Sequence, residues 1–310
     1  MYLLGFDIGG TKCAVITAEW DGENISVLKK SSCPTDLNLP PEQMIEKLIE
    51  RADGLLDRVP DSVGISCGGP LDSERGVILG PPNLVGWDEV YIVKQLSEHY
   101  GVPVKLQNDA NACAVAEWRF GAARGCRNAI FLTFGTGLGA GLILNGKLYE
   151  GTNGNAGEAG HIRLADRGPV GYGKEGSFEG FCSGGGIARL GEQLALRCEG
   201  DIPMYLKDGA TITARSVADA ARAGDPTAKE VFRISAERLG QGLSILIDLF
   251  NPEVIVIGSI FARCTDLLYD GAMEVIERET LAASRKVFRL LPAALGESIG
   301  DYGAIATALL

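Results

Sequence analysis

The stretch LLGFDIGGTKCAVIT, residues 3–17, decides the fold. An apolar run leads to Asp7, a pair of glycines follows, and a second apolar run begins directly after the turn. Short apolar runs bounded by glycine predict buried strands joined by a tight turn. The pattern therefore predicts one strand over Tyr2–Phe6 and another over Cys13–Thr17.

A second stretch, IFLTFGTGLGAGLIL at residues 130–144, repeats this layout. It predicts a strand over Ala129–Phe134, a glycine turn over Gly135–Gly139 and a strand over Ala140–Leu144. One glycine turn would be weak support for any function, but a duplicated strand–turn–strand unit indicates two related lobes. We predict a two-lobe α/β fold.

The remaining segments alternate strand and helix patterns, as an α/β fold requires. Further strands are predicted over 61–69, 104–107 and 251–259. Two helices are predicted to begin near Pro40 and near Asn108, and three more are predicted over 184–198, 227–250 and the C-terminal GDYGAIATALL. We assign residues 1–118, with about 293–310, to a small lobe and residues 119–292 to a large lobe.

The composition is that of an ordered protein with an acidic surface. The chain has 310 residues, 46% of them hydrophobic, and a net charge of −11. Because an acidic surface repels nucleic acid, we expect no nucleic-acid partner. The eight cysteines show no CxxC pair or metal-ligand spacing, which is typical of the reducing cytosol. No stretch has the pattern of a signal sequence or a membrane span, so we expect a cytoplasmic protein.

Both glycine turns are candidate phosphate loops. Adjacent glycines let backbone N–H groups approach an anion, and in the first turn a threonine and a lysine add a hydroxyl group and a positive charge. Asp7 is placed to hold Mg²⁺ through water. The alternative for each turn is a plain hairpin, and the paired occurrence favours phosphate binding. A third glycine turn, in VIVIGS, would add Gly258, although a plain strand end is equally compatible there. The predicted nucleotide contacts are therefore Asp7, Gly9, Gly10, Thr11, Lys12, Gly135, Thr136, Gly137 and Gly258.

The NDAN segment, residues 108–111, lies between a predicted strand and a predicted helix. The carboxylate of Asp109 is a candidate general base, because an attacking hydroxyl group must lose its proton during phosphoryl transfer. Aspartate is also a favoured helix N-cap. The spacing leaves both roles open.

The most polar region is GNAGEAGH, residues 154–161, followed by Glu179. Glu158 and His161 are three residues apart, so a helical turn would place them on one side. Carboxylates and imidazoles are suitable partners for the hydroxyl groups of a polyol. A metal site and an ordinary loop histidine are the alternatives, and His99, in a polar run, is expected at the surface.

Together these motifs resemble those of the ROK family of bacterial sugar kinases and sugar-responsive repressors. The likeness extends in the family's order through DIGGTK, NDAN, FGTGLGAGLI, NGNAGEAGH and GAIATALL. It implies the actin-like (ribonuclease H-like) ATPase fold, with ATP and Mg²⁺ in a cleft between the lobes and Asp109 as the catalytic base. The sugar ligands that it implies are Gly69, Asn83, Asn108, Asp109, Glu158, His161 and Glu179.

One segment departs from the family pattern. Where the family's GH…CxCGxxGCxE segment holds a structural zinc through three cysteines and the histidine, this chain has Val170, Tyr172 and Ser177. Valine has no donor atom and neutral hydroxyls are poor zinc ligands, so we expect no structural zinc. We expect glycines and the apolar packing of Tyr172 and Phe178 to set this loop instead.

The resemblance implies ATP-dependent phosphorylation of a hexose by a glucokinase-like enzyme. An N-acetylhexosamine kinase or a fructokinase of the same family is an alternative, and a non-catalytic sugar-sensing protein is an alternative of another class. The family's repressors carry a helix-turn-helix before the first strand, which here begins at residue 2, so DNA binding is not expected. Homodimers are common in the family, so the resemblance implies a possible homodimer, but the sequence itself gives no independent sign of one.

Overall fold

Two units make up the chain in a computed structural model that describes residues 1–197, 202–209 and 211–310. The first unit comprises residues 1–125, 141–156 and 294–310, and the second comprises 126–140 and 157–293. The lobe limits given above stay a prediction.

Strands and helices alternate along most of the chain. The strands are β1 (Tyr2–Ile8), β2 (Lys12–Trp20), β3 (Ile25–Pro34), β4 (Ser62–Cys67), β5 (Leu71–Asp72), β6 (Val77–Ile78), β7 (Val104–Asn108), β8 (Ala129–Phe134), β9 (Leu138–Leu144), β10 (Lys147–Leu148), β11 (Val170–Gly171), β12 (Lys174–Glu175), β13 (Val254–Ile257) and β14 (Arg289–Pro292). The helices are α1 (Pro41–Asp53), α2 (Ile92–Tyr100), α3 (Asp109–Phe120), α4 (Phe178–Phe181), α5 (Gly184–Ala195), α6 (Ala214–Arg222), α7 (Pro226–Phe250), α8 (Ile260–Arg263), α9 (Thr265–Glu279), α10 (Ala282–Arg285) and α11 (Ile299–Thr307).

Every strand and helix predicted from the sequence is present, with ends that differ by a few residues. Helix α5, for example, ends at Ala195, and its predicted end, Cys198, lies outside the described residues. The cysteines that the structure describes lie in buried positions and form no disulfide bonds with one another. Within the described part of the chain, no helix is long and apolar enough to cross a membrane.

The first unit is built on a five-stranded sheet of order β3-β2-β1-β4-β7. Strands β1, β4 and β7 are parallel, and their register places Ile8, Cys67 and Asn108 side by side. Because the carboxyl ends of parallel strands meet at one edge of the sheet, the residues that follow each strand are neighbours. The glycine turn, the GGP loop and the NDAN segment therefore begin at the same edge.

Both faces of β1 are buried, which explains its nearly continuous apolar sequence. Side chains of β1 alternate between the faces, and Leu4, Phe6 and Ile8 join a core that includes Met44 and Leu48 of α1. On the other face, Leu3 packs with Ala304 and Ile305 of α11.

Helix α11 lies unusually close to the sheet because two strand positions are glycine. A β-carbon at Gly5 would lie 2.9 Å from Cδ1 of Ile305, and one at Gly64 would collide with the carbonyl oxygen of Ala304. This close approach fixes the position of the N-terminus of α11 relative to β1, which matters for the site described below.

The second five-stranded sheet has the order β10-β9-β8-β13-β14. Its strands β8, β13 and β14 are parallel, and β9 passes from the second unit to the first at Gly141. Helix α7 begins with an Asp225 N-cap followed by a proline, ends at Asn251 in the left-handed region, and packs against α9. The left-handed residue turns the chain sharply into β13.

The close contact of α11 with β4 predicts a large effect at Gly64. Gly64→Ala should lower the free energy of unfolding by about 3 kcal/mol, because the added methyl group meets backbone rather than a side chain that can move. The control is Gly54→Ala at the end of α1, where the nearest atoms to a β-carbon are 3.6 Å away. Equal urea midpoints for the two variants would contradict this account of the packing.

Candidate active site

The first glycine turn is held by hydrogen bonds to its own backbone and to Thr35. The N–H of Gly9 donates to the carbonyl of Lys12 (3.1 Å), and the hydroxyl of Thr35 donates to the carbonyl of Gly9 (2.5 Å). A β-carbon at Gly10 would collide with Asn83. The predicted phosphate turn and Asn83, a predicted sugar ligand, therefore lie in contact, and the side chains of Thr11 and Lys12 are exposed.

Asp7, near the end of β1, lies among charged groups of the same unit. A β-carbon at Gly300, in the first turn of α11, would be 2.8 Å from Oδ2 of Asp7. Burial, and next the carboxylates of Asp301 and Asp109, raise the pKa of Asp7 from 3.8 to about 6, against the opposing effects of Lys30 and Lys12.

Lys30 and Asp301 were not recognised from the sequence. The ammonium group of Lys30 lies 2.5 Å from Oδ2 of Asp301, whose side chain is only 10% exposed. The two residues are 271 positions apart and come together only because β3 and the start of α11 belong to one unit. No periodicity or motif connects them.

In the NDAN segment the helix cap is Asn108 rather than Asp109. Oδ1 of Asn108 accepts from the N–H of Ala110 (3.0 Å), and Asp109 is the first residue of α3, with an exposed side chain. The segment therefore provides a helix cap through Asn108, and Oδ1 of Asp109 also accepts from the N–H of Ala110 (2.8 Å). A β-carbon at Gly69 would lie 3.2 Å from the side-chain amide of Asn108, so these two predicted sugar ligands are also neighbours.

A hydrogen-bond network that the sequence did not reveal holds Asn108 from behind. Oε1 of Glu150 accepts from Ser73 (2.6 Å) and from Nε2 of Gln107 (3.0 Å). Oε1 of Gln107 in turn accepts from the N–H of Asn108 (2.9 Å) and from the side chain of Asn111 (3.0 Å). Glu150 thus ties the segment after the GGP loop to the end of β7. Glu150 lies eight residues before Glu158, outside the polar motif, so no sequence pattern marks it as part of the site.

Three glycine segments meet in the second unit. The N–H of Gly135 donates to the carbonyl of Gly137, and its own carbonyl accepts from the N–H of Gly184, the first residue of α5 (2.7 Å). A β-carbon at Gly135 would lie 3.5 Å from Oγ of Ser259, next to Gly258. The predicted turns at 135–137 and 258 are therefore adjacent, and the start of α5 at Gly184 lies beside them, although no sequence motif marked it.

Ser259 has a φ of 55°, which is rare for a residue other than glycine. Its hydroxyl accepts from the guanidinium of Arg263 (3.1 Å). Backbone strain of this kind persists where surrounding structure enforces it, and it is concentrated at functional sites.

Glu179 contacts the second glycine turn. Its Oε2 accepts from the N–H of Leu138 (3.0 Å) and would lie 2.7 Å from a β-carbon at Gly137. A predicted sugar ligand and a predicted phosphate loop are thus joined directly. The turn Ala159–His161 packs on the start of β9, since a β-carbon at Gly160 would collide with the carbonyl of Leu138.

Glu158 and His161 are exposed at the two ends of that turn, linked by a hydrogen bond from the N–H of His161 to the carbonyl of Glu158 (3.1 Å). In the loop that follows, Phe178 is fully buried as predicted. The expectation that Tyr172 packs in the same way is wrong, because its side chain is 73% exposed. His99, as predicted, is at the surface, where it pairs with Asp53.

Among the described residues there is no group of three or more His, Cys, Asp or Glu side chains arranged to hold a metal ion directly. The expected absence of zinc stays a prediction. Carboxylate oxygen is the donor type that Mg²⁺ prefers, and a cation held through water would offset the repulsion that raises the pKa of Asp7. The surroundings of Asp7 therefore fit Mg²⁺ bound through water.

Comparison with known proteins identifies the family, because the ROK family model matches residues 3–309. The chain belongs to the ROK family. The glucokinase of Streptomyces coelicolor is 33% identical over 308 residues, which cover 97% of this chain and 95% of that protein. A solved ROK hexokinase from Thermus thermophilus is 32% identical with a TM-score of 0.84, over 100% of this chain and 98% of that one. A ROK family glucokinase from Streptomyces griseus, solved in complex with glucose and AMPPNP, is 32% identical with a TM-score of 0.80, over 100% and 99%.

These matches confirm the predicted fold class. The chain has the α/β fold of the ROK sugar kinases, which is the actin-like ATPase fold. The residue roles were carried over from the resemblance by motif, and they stay predictions.

The raised pKa of Asp7 predicts a pH-dependent gain in stability when its charge is removed. The unfolded chain releases this proton near pH 3.8 and the folded chain near pH 6, so stability is lost as the pH rises through this window, by about 3 kcal/mol. With this protein free of nucleotide and Mg²⁺, Asp7→Asn should therefore raise the Tm at pH 8 and leave the Tm almost unchanged at pH 4. The control is Asp270→Asn, at an exposed position of α9. A gain in Tm that is the same at both pH values would contradict the assigned cause.

The network behind Asn108 predicts unequal effects of two substitutions at Glu150. Glu150→Ala should lower the free energy of unfolding by about 2 kcal/mol, since it leaves the buried amide of Gln107 without its acceptor. Glu150→Gln keeps an oxygen at the same place and should lose less than half as much. Urea unfolding of both variants measures the difference, and equal losses would show that the acceptor atom is not what matters.

Proposed function

We propose that this protein is an ATP-dependent hexose kinase of the glucokinase type. The observation that carries the proposal is the meeting, at one edge of the first sheet, of the glycine turn after β1 and the NDAN segment after β7. A phosphate-binding turn beside a carboxylate and an amide is what phosphoryl transfer to a hydroxyl group needs. The similarity to a glucokinase solved with glucose and AMPPNP supports the same reaction.

In this proposal Asp109 is the general base. Its carboxylate is exposed at the first position of α3, where a sugar hydroxyl group can reach it. It accepts the proton as the hydroxyl oxygen bonds to the γ-phosphorus atom, and the bond from that phosphorus to the β,γ-bridging oxygen breaks, so that ADP leaves. Asn108, fixed by its cap bond and by the Glu150 network, donates its amide to a neighbouring sugar oxygen and so holds the attacking oxygen in place.

The nucleotide is assigned to the glycine segments. In the first unit Gly10, Thr11 and Lys12 offer a backbone N–H group, a hydroxyl group and a positive charge to the phosphates, while Gly9 closes the turn through its bond to the carbonyl of Lys12. In the second unit Thr136 and Gly137 offer backbone N–H groups and a hydroxyl group, while Gly135 closes the turn through its bond to the carbonyl of Gly137, and Gly258 with Ser259 borders the nucleotide. Asp7 would hold Mg²⁺ through water, and the bound ion would supply positive charge that offsets the charge on the phosphate oxygens.

The sugar is assigned to polar groups of each unit: Gly69, Asn83 and Asn108 in the first, and Glu158, His161 and Glu179 in the second. Oε2 of Glu179 is engaged by the N–H of Leu138, which orients the carboxylate so that its second oxygen can accept from a sugar hydroxyl group. Carboxylate, amide and imidazole groups are suitable partners for the hydroxyl groups of a polyol, and a hexose of the glucose type is the substrate that we propose. A cytoplasmic location and a homodimer remain predictions.

The test is a panel of hexoses with ATP and Mg²⁺, measured by ADP release. The panel includes glucose, mannose, fructose, allose and the N-acetylhexosamines, so that the alternative kinases of the family are outcomes of the same assay. We expect one aldohexose to give the highest kcat/KM. ADP release that no sugar accelerates would overturn the proposal and favour the sugar-sensing alternative.

The matched control is Asp109→Asn, which keeps the shape of the side chain and removes the base. It should lower kcat by about 10²- to 10⁴-fold, with a much smaller change in sugar affinity. Near-normal turnover in this variant would leave the hexose kinase reaction in place but reject Asp109 as its base.

A further inference from the structure

Strands β11 and β12 form a small hairpin after the Ala159–His161 turn. Val170 pairs with Glu175 and Gly171 pairs with Lys174, so the loop between the strands has two residues, Tyr172 and Gly173. Their φ angles are 43° and 74°. Positive φ at both positions is the signature of a type I′ turn, for which Asn-Gly is the strongly preferred sequence.

Tyrosine is a poor residue for the first position of this turn. A side chain with a β-carbon is strained at positive φ, and asparagine tolerates it better than bulky residues do. Packing does not account for the choice, since the Tyr172 side chain is 73% exposed. A residue that is strained and also unburied is expected to have a role other than stability.

The hairpin makes two contacts with His161, which is one of the proposed sugar ligands. The Tyr172 ring lies edge-on to the imidazole, with ring centroids 6.2 Å apart and planes at 74°. This is the T-shaped arrangement that aromatic rings favour. The ammonium group of Lys174 donates to the carbonyl oxygen of His161 (2.7 Å). The ring and the backbone of His161 are therefore held by the two sides of one turn.

The base of the hairpin is fixed firmly enough to hold its tip. The hydroxyl of Ser177 donates to the carbonyl of Gly171 and accepts from the N–H of Gly180. The guanidinium of Arg163 donates to the carbonyl of Glu175 (2.6 Å), and the N–H of Phe178 donates to the carbonyl of Ile162 (2.7 Å). These bonds anchor both strands, so the position of the Tyr172 ring follows from the turn itself.

We propose that Tyr172 is a positioning residue that orients the imidazole of His161 for hexose binding. The proposal rests on the proposed function, because His161 is a sugar ligand only there. An exposed imidazole can rotate about its side-chain bonds, and a neighbouring aromatic ring in a T-shaped arrangement restricts that rotation. A ring nitrogen then points in a fixed direction toward a sugar hydroxyl group. Specificity among hexoses that differ at that hydroxyl follows from the fixed direction.

The test compares Tyr172→Asn with Tyr172→Phe. Asparagine suits the turn and removes the ring, so the variant should gain about 1–3 °C in Tm while its hexose KM rises about threefold to tenfold. The KM for ATP should stay unchanged. Phenylalanine keeps the ring and should keep the wild-type hexose KM. If Tyr172 merely supported the loop, Tyr172→Asn would not combine a higher Tm with a higher hexose KM.

Nuclear magnetic resonance gives a readout that does not depend on activity. The chain has only two histidines, and His99 lies on α2 in the other unit. Tyr172→Asn should shift the imidazole resonances of His161 and leave those of His99 in place, because only His161 loses a neighbouring ring. Failure of the hexose panel would remove the proposed function but leave this shift observable. An unshifted His161 resonance, or an unchanged hexose KM in an active enzyme, would overturn the role of Tyr172.

Discussion

The register of three parallel strands is the constraint on which the first unit depends. Because Ile8, Cys67 and Asn108 lie side by side, the segments that follow β1, β4 and β7 leave the sheet at one edge. A shift of one residue in β1 would turn Asp7 to the opposite face, and a shift of one residue in β7 would turn Asn108. Gly5 and Gly64 complete the arrangement, since only a sheet without β-carbons at these points admits α11 closely enough to bring Asp301 toward Asp7.

Several features of the proposed site lower stability. Burial, and next the neighbouring carboxylates, raise the pKa of Asp7 to about 6, Ser259 is held at positive φ, and Tyr172 occupies a turn position that suits asparagine. Each is compensated locally, by Lys30 and Lys12 at Asp7, by Arg263 at Ser259 and by the anchored hairpin at Tyr172. Such exceptions to local rules are expected where a protein binds ligands, and here they coincide with the segments assigned to nucleotide and sugar.

The sequence was most informative where local patterns carry the structure. Buried strands such as β1 and β8 are apolar runs that end in glycine, and α3 begins at a recognisable cap, so both the fold and the order of the motifs could be predicted. Strand β3 was not predicted, because most of its side chains are exposed and ISVLKKSSCP lacks a regular apolar alternation. Glu150, Lys30 and Asp301 were missed for a different reason: their partners are distant in sequence and meet only through the tertiary fold.

The central claim is that the edge defined by β1, β4 and β7 supports transfer of phosphate to a sugar hydroxyl group rather than to water. Phosphorus-31 nuclear magnetic resonance of a reaction containing ATP, Mg²⁺ and the preferred hexose measures this directly. The account predicts a growing sugar phosphomonoester signal that matches the loss of the γ-phosphate signal. Release of inorganic phosphate alone, with the hexose unchanged, would contradict it.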